Sequence, residues 1–199
     1  MILGTSSLRR KMQAKFLLGA EKIFSLNGNI DTRIKKLEEG KLDGIILAAA
    51  GVKSLHLDDK IGLSFKSEEV LPAVGQGIIA VQCNKNDDEV KNLLRNINDT
   101  ETEVCAKSER AMLQAIKGDC ETAVGAYSNI EGNKITLEAE LFSLDGSERF
   151  YEKKTGRVED YSEIGKEVGE ILKSKSKTAD YLNGKKIIKK VMTQKILLV

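Results

Sequence analysis

Over the first fifty or so residues short apolar runs alternate with segments of helical spacing, and that alternation decides what kind of sheet the chain can build. "MILG" is followed by "LRRKMQAKFLL", "KIFSL" by "IDTRIKKLEE" closed at Gly40, and "GIILAAA" completes a βαβαβ pattern. Strands separated by whole helices cannot be joined by tight hairpins, so neighbouring strands should run parallel. Ligands of such sheets gather outside the strand C-termini, where "GTSS" and "NGN" fall. Both motifs are expected to open into one crevice.

The organisation then changes once. "LPAVGQGIIAVQCNKN" holds the only proline, Pro72, and two glycines before another apolar strand, which reads as a hinge or crossover. Helical segments "DDEVKNLLRNIND" and "ETEVCAKSERAMLQAIKG" follow, the second stopping at Gly118. "AVGAYSNI", "KITLEAELFSL" and "RFYEKKTGRV" are joined by turns at Glu131-Gly132-Asn133 and Asp145-Gly146 and read as an antiparallel meander. The amphipathic "YSEIGKEVGEILKSK" should cover one face of it, making a small α+β unit after the α/β lobe.

At 199 residues, 41% hydrophobic and 31% charged, the chain is long enough for one or two packed domains and too apolar to be disordered. A net charge of +2 creates no global field toward nucleic acid or a membrane, so neither is expected as a partner. "IILAAAGV" is too short to span a bilayer. Three cysteines without CxxC spacing, and no charged-then-apolar leader, argue against a secreted disulfide framework and for the cytoplasm. The cysteines lie far apart and the single histidine, His56, sits in an unrelated stretch, so no metal site is expected.

"GTSSLRR" poses a chemical question. Ser7 or Ser6 is a good N-cap, yet the first helical turn then holds Arg9 and Arg10, where the macrodipole already favours anions. A carboxylate or phosphate docked on the free N–H groups would reverse that local penalty; two arginines fanning into solvent would cost only a few tenths of a kcal/mol, and both readings stand. "NGNIDTRIKK" repeats the pattern, with Asn29 or Asp31 near a helix start and Arg33, Lys35 and Lys36 following. "VGQGIIA" lacks the third glycine of a dinucleotide fingerprint and the Lys-Ser/Thr of a P-loop. Cys120, in "KGDCETAVG", falls in a polar turn and is either an accessible thiol or a small buried residue, whereas Cys83 and Cys105 sit inside periodic apolar segments.

"GTSSLRR", "NGNIDTRIKKLEEGKLDGIILAAAGVKSL", "LPAVGQG", "SERAMLQAIKGDCETAVGAY" and the "LDG" turn, in this order and spacing, resemble the porphobilinogen deaminase (hydroxymethylbilane synthase) family over most of the chain. The resemblance implies an α/β fold with a parallel-sheet lobe of the periplasmic-binding-protein kind, followed by a small α+β C-terminal domain with an antiparallel sheet. It implies a transferase that condenses porphobilinogen stepwise into the linear tetrapyrrole hydroxymethylbilane, releasing ammonia, in haem biosynthesis. A dipyrromethane cofactor would be linked by a thioether to Cys120, with Ser7, Arg9, Arg10 and Arg33 binding carboxylates of cofactor and substrate. It further implies residues 1–75 as a second-domain lobe, 76–99 as a segment returning to a largely absent first domain, 100–184 as the C-terminal domain and 185–199 as a basic linker and tail. The acid/base aspartate would belong to that absent domain, so no catalytic residue is expected in this chain, which should be inactive alone and a monomer when complete. A second reading, a non-catalytic anion-binding half of a two-lobed binding protein, would use the same arginines without Cys120. The chain departs from the family pattern at Asn27 and Ser54, where arginines are usual, and in "GDCETAVG", which keeps the cysteine and Gly125.

Overall fold

The alternating N-terminal segment closes into the parallel unit its spacing predicts. The structure is a computed structural model and describes residues 1–117, 122–143 and 145–176; Gly118, Cys120 and the tail "MTQKILLV" lie outside the described residues. Strand β1 (Ile2–Gly4) is central, flanked in parallel by β2 (Lys22–Phe24) and β3 (Gly44–Ile45), in the order β2-β1-β3. Helices α1 (Leu8–Leu18) and α2 (Ile30–Glu38) are the crossovers. The lobe's core is small: Leu3, Ala14 and Ala20 are buried, with Ile23 and Ile46 packed on them.

One expected strand is cut short and another is not there. "GIILAAA" pairs only through Gly44 and Ile45, because β1 ends at Gly4 and offers the ladder nothing further. The alanines instead start a short helix, α3 (Ala49–Ser54), as their high helix propensity allows. "GIIAVQC" forms no strand: Ile79 is 92% exposed and Val81 60%. An extended apolar run becomes a strand only when another strand takes its backbone groups, and none lies beside it among the described residues.

Beyond α4 (Asp88–Arg95), helix α5 (Thr100–Ile116) begins at Asp99, whose carboxylate accepts the Thr102 N–H at 2.7 Å. It ends at Lys117, held in the left-handed region at φ 62°, one residue before the glycine expected to stop it. Strands β4 (Val124–Glu131), β5 (Lys134–Phe142) and β6 (Arg149–Arg157) form the antiparallel meander, and α6 (Tyr161–Lys175) packs with α5 on one face. On β5, Ile135, Leu137, Ala139 and Leu141 alternate into that core with Met112, Ile116, Val168 and Leu172. The helices touch backbone to backbone. A Cβ on Gly165 would collide with the Ser108 carbonyl, and one on Gly169 would stand 2.5 Å from Met112 O.

The opposite face of β5 carries Thr136, Glu138, Glu140 and Phe142, and α1 covers its last turn. Met12, Ala123 and Phe142 are buried together, and the Phe16 and Phe142 rings meet edge to face with centroids 6.0 Å apart. The segment from Leu71 to Gly77 runs along the same seam. Pro72 O accepts the Ala126 N–H at 2.9 Å, and the buried Glu109 carboxylate accepts N–H groups of Gly75 at 2.8 Å and Ser128 at 2.9 Å. Gly75 and Gly77 hold φ of 69° and 92°, a conformation other residues adopt only with strain.

Candidate anion-binding site

Ser7 caps α1: its hydroxyl accepts the Arg10 N–H at 3.4 Å, while its own N–H donates to Thr5 Oγ1 at 3.2 Å. With no acidic residue in the first turn, Arg9 and Arg10 project from the positive end of the helix. Neither fans freely into solvent. Arg9 is only 6% exposed, its Nη1 donating to Gln13 Oε1 and Leu71 O, both at 2.7 Å, and its Nη2 to Gln76 Oε1 at 3.1 Å. Its Nε is buried without a hydrogen-bond partner. Burial, and next the charge of Arg10, lower the Arg9 pKa to about 10, against an opposing pull from Glu140.

Arg10 is half-buried, with Nη1 donating to Ile46 O at 3.3 Å; burial first and the charge of Arg33 second lower its pKa. Arg33 lies more openly, in the first turn of α2, its Nε donating to Gly28 O at 2.7 Å. Asn29 flanks that helix without a side-chain cap bond, so α2 also presents unpaired N–H groups. Three guanidinium groups thus stand in a repelling row, Arg9 to Arg10 to Arg33, at two helix starts beyond the strand ends.

A cavity of about 660 Å³ opens beside them, its charged and amide lining made of Arg9, Arg10, Gln76 and Lys60 together with the carboxylates of Glu38 and Asp43, and its apolar side of residues such as Leu47, Ala48 and Pro72. Arg33 stands outside that lining. Asn27 and Ser54 bring no cation: Asn27 O accepts from Lys36 Nζ at 3.3 Å, and Ser54 Oγ donates to Gly51 O at 2.9 Å. Cys105, half-buried on α5, has its thiol pushed up to about 11, chiefly by burial and then by the carboxylates of Glu109, Glu101 and Asp99, so it is an unreactive core thiol. No group of three or more metal-ligating side chains occurs among the described residues, and no described helix is long and apolar enough to cross a membrane.

Sequence reasoning missed Gln13, Gln76 and Glu140. Gln13 and Glu140 are 127 positions apart, and only the docking of α1 on β5 joins them. The available signal was Glu140 itself, a charge on the same strand face as Phe142.

An α/β lobe that turns the two arginines of one helix start toward a partly apolar cavity, with a third at a neighbouring helix start and a small antiparallel domain docked beside it, has the features of the class of proteins whose sites suit an organic carboxylate. Comparison with known proteins narrows the class. Residues 1–92 match the family model described as porphobilinogen deaminase, dipyromethane cofactor binding domain, and residues 103–174 match that of the porphobilinogen deaminase C-terminal domain. Proteins named porphobilinogen deaminase align from Desulforamulus reducens, 39% identical over 95% of this chain and 59% of that protein, and from Clostridium acetobutylicum, 38% identical over 85% and 57%. A third, from Exiguobacterium sibiricum, is 46% identical over 77% of this chain and 51% of its own length. The chain belongs to the porphobilinogen deaminase family, and spans little more than half the length of these relatives.

Proposed function

We propose that this chain is the carboxylate-binding and cofactor-bearing part of a hydroxymethylbilane synthase, which condenses porphobilinogen into a linear tetrapyrrole with loss of ammonia. The row of mutually repelling guanidinium groups carries this reading. Buried or half-buried like charges cost free energy that an anionic ligand relieves, and the buried Arg9 Nε has a hydrogen to give. Acetate and propionate groups on a pyrrole suit such a site: each accepts a forked pair of N–H bonds while the ring lies on apolar wall.

These residues fit a dipyrromethane cofactor, whose pyrroles carry the same carboxylates. Ser7, Arg9, Arg10 and Arg33 would hold it, Cys120 would be its thioether anchor, and when bound it supplies a nucleophilic pyrrole carbon as a retained primer. The chain's own part is to orient the rings and to balance their negative charge, which limits alternative poses. Proton transfer needs a carboxylate that we assign to the part of its relatives these residues do not span, so the 199 residues alone should not turn over. Residues 1–75 would be a second-domain lobe of periplasmic-binding-protein type, 76–99 the return to the first domain, 100–184 the C-terminal domain and 185–199 a linker and tail. We place the complete protein in the cytoplasm, with which the cysteine usage accords, and take it to be a monomer, as the family resemblance implies.

Peptide-level mass spectrometry of the protein with its N-terminal half restored tests the assignment. Cys120 should carry an added mass equal to two linked pyrroles, Cys83 and Cys105 none, and Cys120→Ser should lose both the adduct and turnover. Full activity with an unmodified Cys120 would overturn it.

A further inference from the structure

We propose that Glu140, on the C-terminal sheet, is a positioning residue for Arg9, acting through the side-chain amide of Gln13; this rests on the reading of Arg9 as a carboxylate-binding residue. All three side chains are buried where α1 crosses β5: Arg9 is 6% exposed, Gln13 2% and Glu140 not at all. The Gln13 amide works from both ends. Its Nε2 donates to Glu140 Oε1 at 2.5 Å and to Leu71 O at 2.7 Å, while its Oε1 accepts from Arg9 Nη1 at 2.7 Å. A carboxylate is an acceptor only, so it admits the NH₂ end of Gln13 alone, and the amide oxygen is thereby turned to the guanidinium. In the flipped amide, donors would face Arg9 and an oxygen would face two acceptors.

Glu140 is itself held in place. Its Oε2 accepts from Arg149 Nε at 2.7 Å, and the Arg149 guanidinium lies 5.1 Å from the centre of the Tyr151 ring. The sequence Arg149, Glu140, Gln13, Arg9 therefore alternates donor and acceptor from the edge of the small domain to the wall of the cavity. Arg9 Nη1 has both hydrogens committed, to Gln13 and to Leu71 O. What remains for a ligand is Nε and the Nη2 edge, with Gln76 Oε1 at 3.1 Å the one described neighbour on Nη2. Fixing Nη1 thus fixes which edge of the guanidinium a carboxylate meets.

Removing the Glu140 charge makes this separable from simple electrostatics. Glu140→Gln adds one unit of positive charge beside the cavity, which by Coulomb attraction alone would tighten an anion. Loss of positioning weakens it instead. Porphobilinogen binding to the 199-residue chain should fall about tenfold in Glu140→Gln, the order expected when the support of a binding side chain is lost. In the same variant the Arg9 Nε–H resonance, identified by its disappearance in Arg9→Ala, should lose its separate, slowly rotating guanidinium signature. Gln13→Met, which keeps the length and apolar packing, should do the same and stands in if Glu140→Gln does not fold. Unchanged or tighter binding with an unchanged Arg9 resonance, in a folded variant, overturns the proposal. An Arg9→Ala chain that binds as well as the unaltered one overturns the carboxylate reading itself, and the resonance then still reports whether Glu140 fixes the guanidinium.

Discussion

Arg10 faces the cavity with its guanidinium donating to Ile46 O and with Arg33 as a like-charged neighbour. A ligand carboxylate there gains a charge-assisted contact, so Arg10→Ala should weaken porphobilinogen binding by roughly 1.5–3 kcal/mol, measured by titration calorimetry. Asp145 offers a pH-dependent counterpart. Bonds from the Ser143 hydroxyl, then from the Ser147 N–H and hydroxyl, hold its carboxyl at about 2 against an ordinary 3.8. A carboxyl depressed in the folded state stabilises it fully above the unfolded value and loses that contribution as pH falls through the folded one. The gap in urea stability between the unaltered chain and Asp145→Ala should therefore be constant above pH 3.8 and shrink toward pH 2. That Ser7, Arg9, Arg10 and Arg33 stand at helix starts was legible because a helix start is a local affair of a few neighbours. Glu140 and Gln76 were not, since their partners are set by tertiary docking.

Among the elements, α6 shows how a helix is placed by its smallest residues. Gly165 and Gly169 lie four apart on the buried face and let α6 rest on the α5 backbone. Gly165→Ala, despite alanine's better helix propensity, should destabilise the protein by at least about 2 kcal/mol in urea unfolding, because its methyl meets a carbonyl oxygen that cannot move aside. Gly40→Ala makes no such collision, though its φ of 74° strains any side chain. Periodicity located β5 and α6 well, for each has a core that reads its alternation directly. It drew "GIILAAA" too long and gave "GIIAVQC" a strand it does not form: their apolar character was correctly seen, but the extent of a strand depends on partners that periodicity does not report.

On the scale of the whole molecule, Ile79 and Val81 face solvent while Ile78 and Cys83 beside them are half-buried, and Leu93 and Ile97 are also exposed nearby in sequence. Backbone amides of 77–83 should exchange with solvent within the shortest labelling times, while those of β5 remain protected. Replacing both Ile79 and Val81 by lysine should reduce self-association in sedimentation velocity without altering the melting temperature, since neither contributes to a core. Strong protection of 77–83 in a monomeric sample would contradict this picture.

The glycine contact between α5 and α6 also limits how the molecule can move. Helices slide past one another when interlocked side chains can exchange rotamers, and here a methylene faces a carbonyl with nothing between to exchange. Sliding of α6 along α5 is thereby opposed, so the two helices and the sheet face they cover answer a load as one piece. The stretch from Pro72 to Gly75 is tied to the same piece, by Pro72 O on the Ala126 N–H and by the Gly75 N–H on Glu109. Glu140 and Phe142 sit on one strand of that piece, so the grip on Gln13 and the packing on Met12 are coupled: a change that disturbs one is felt by the other.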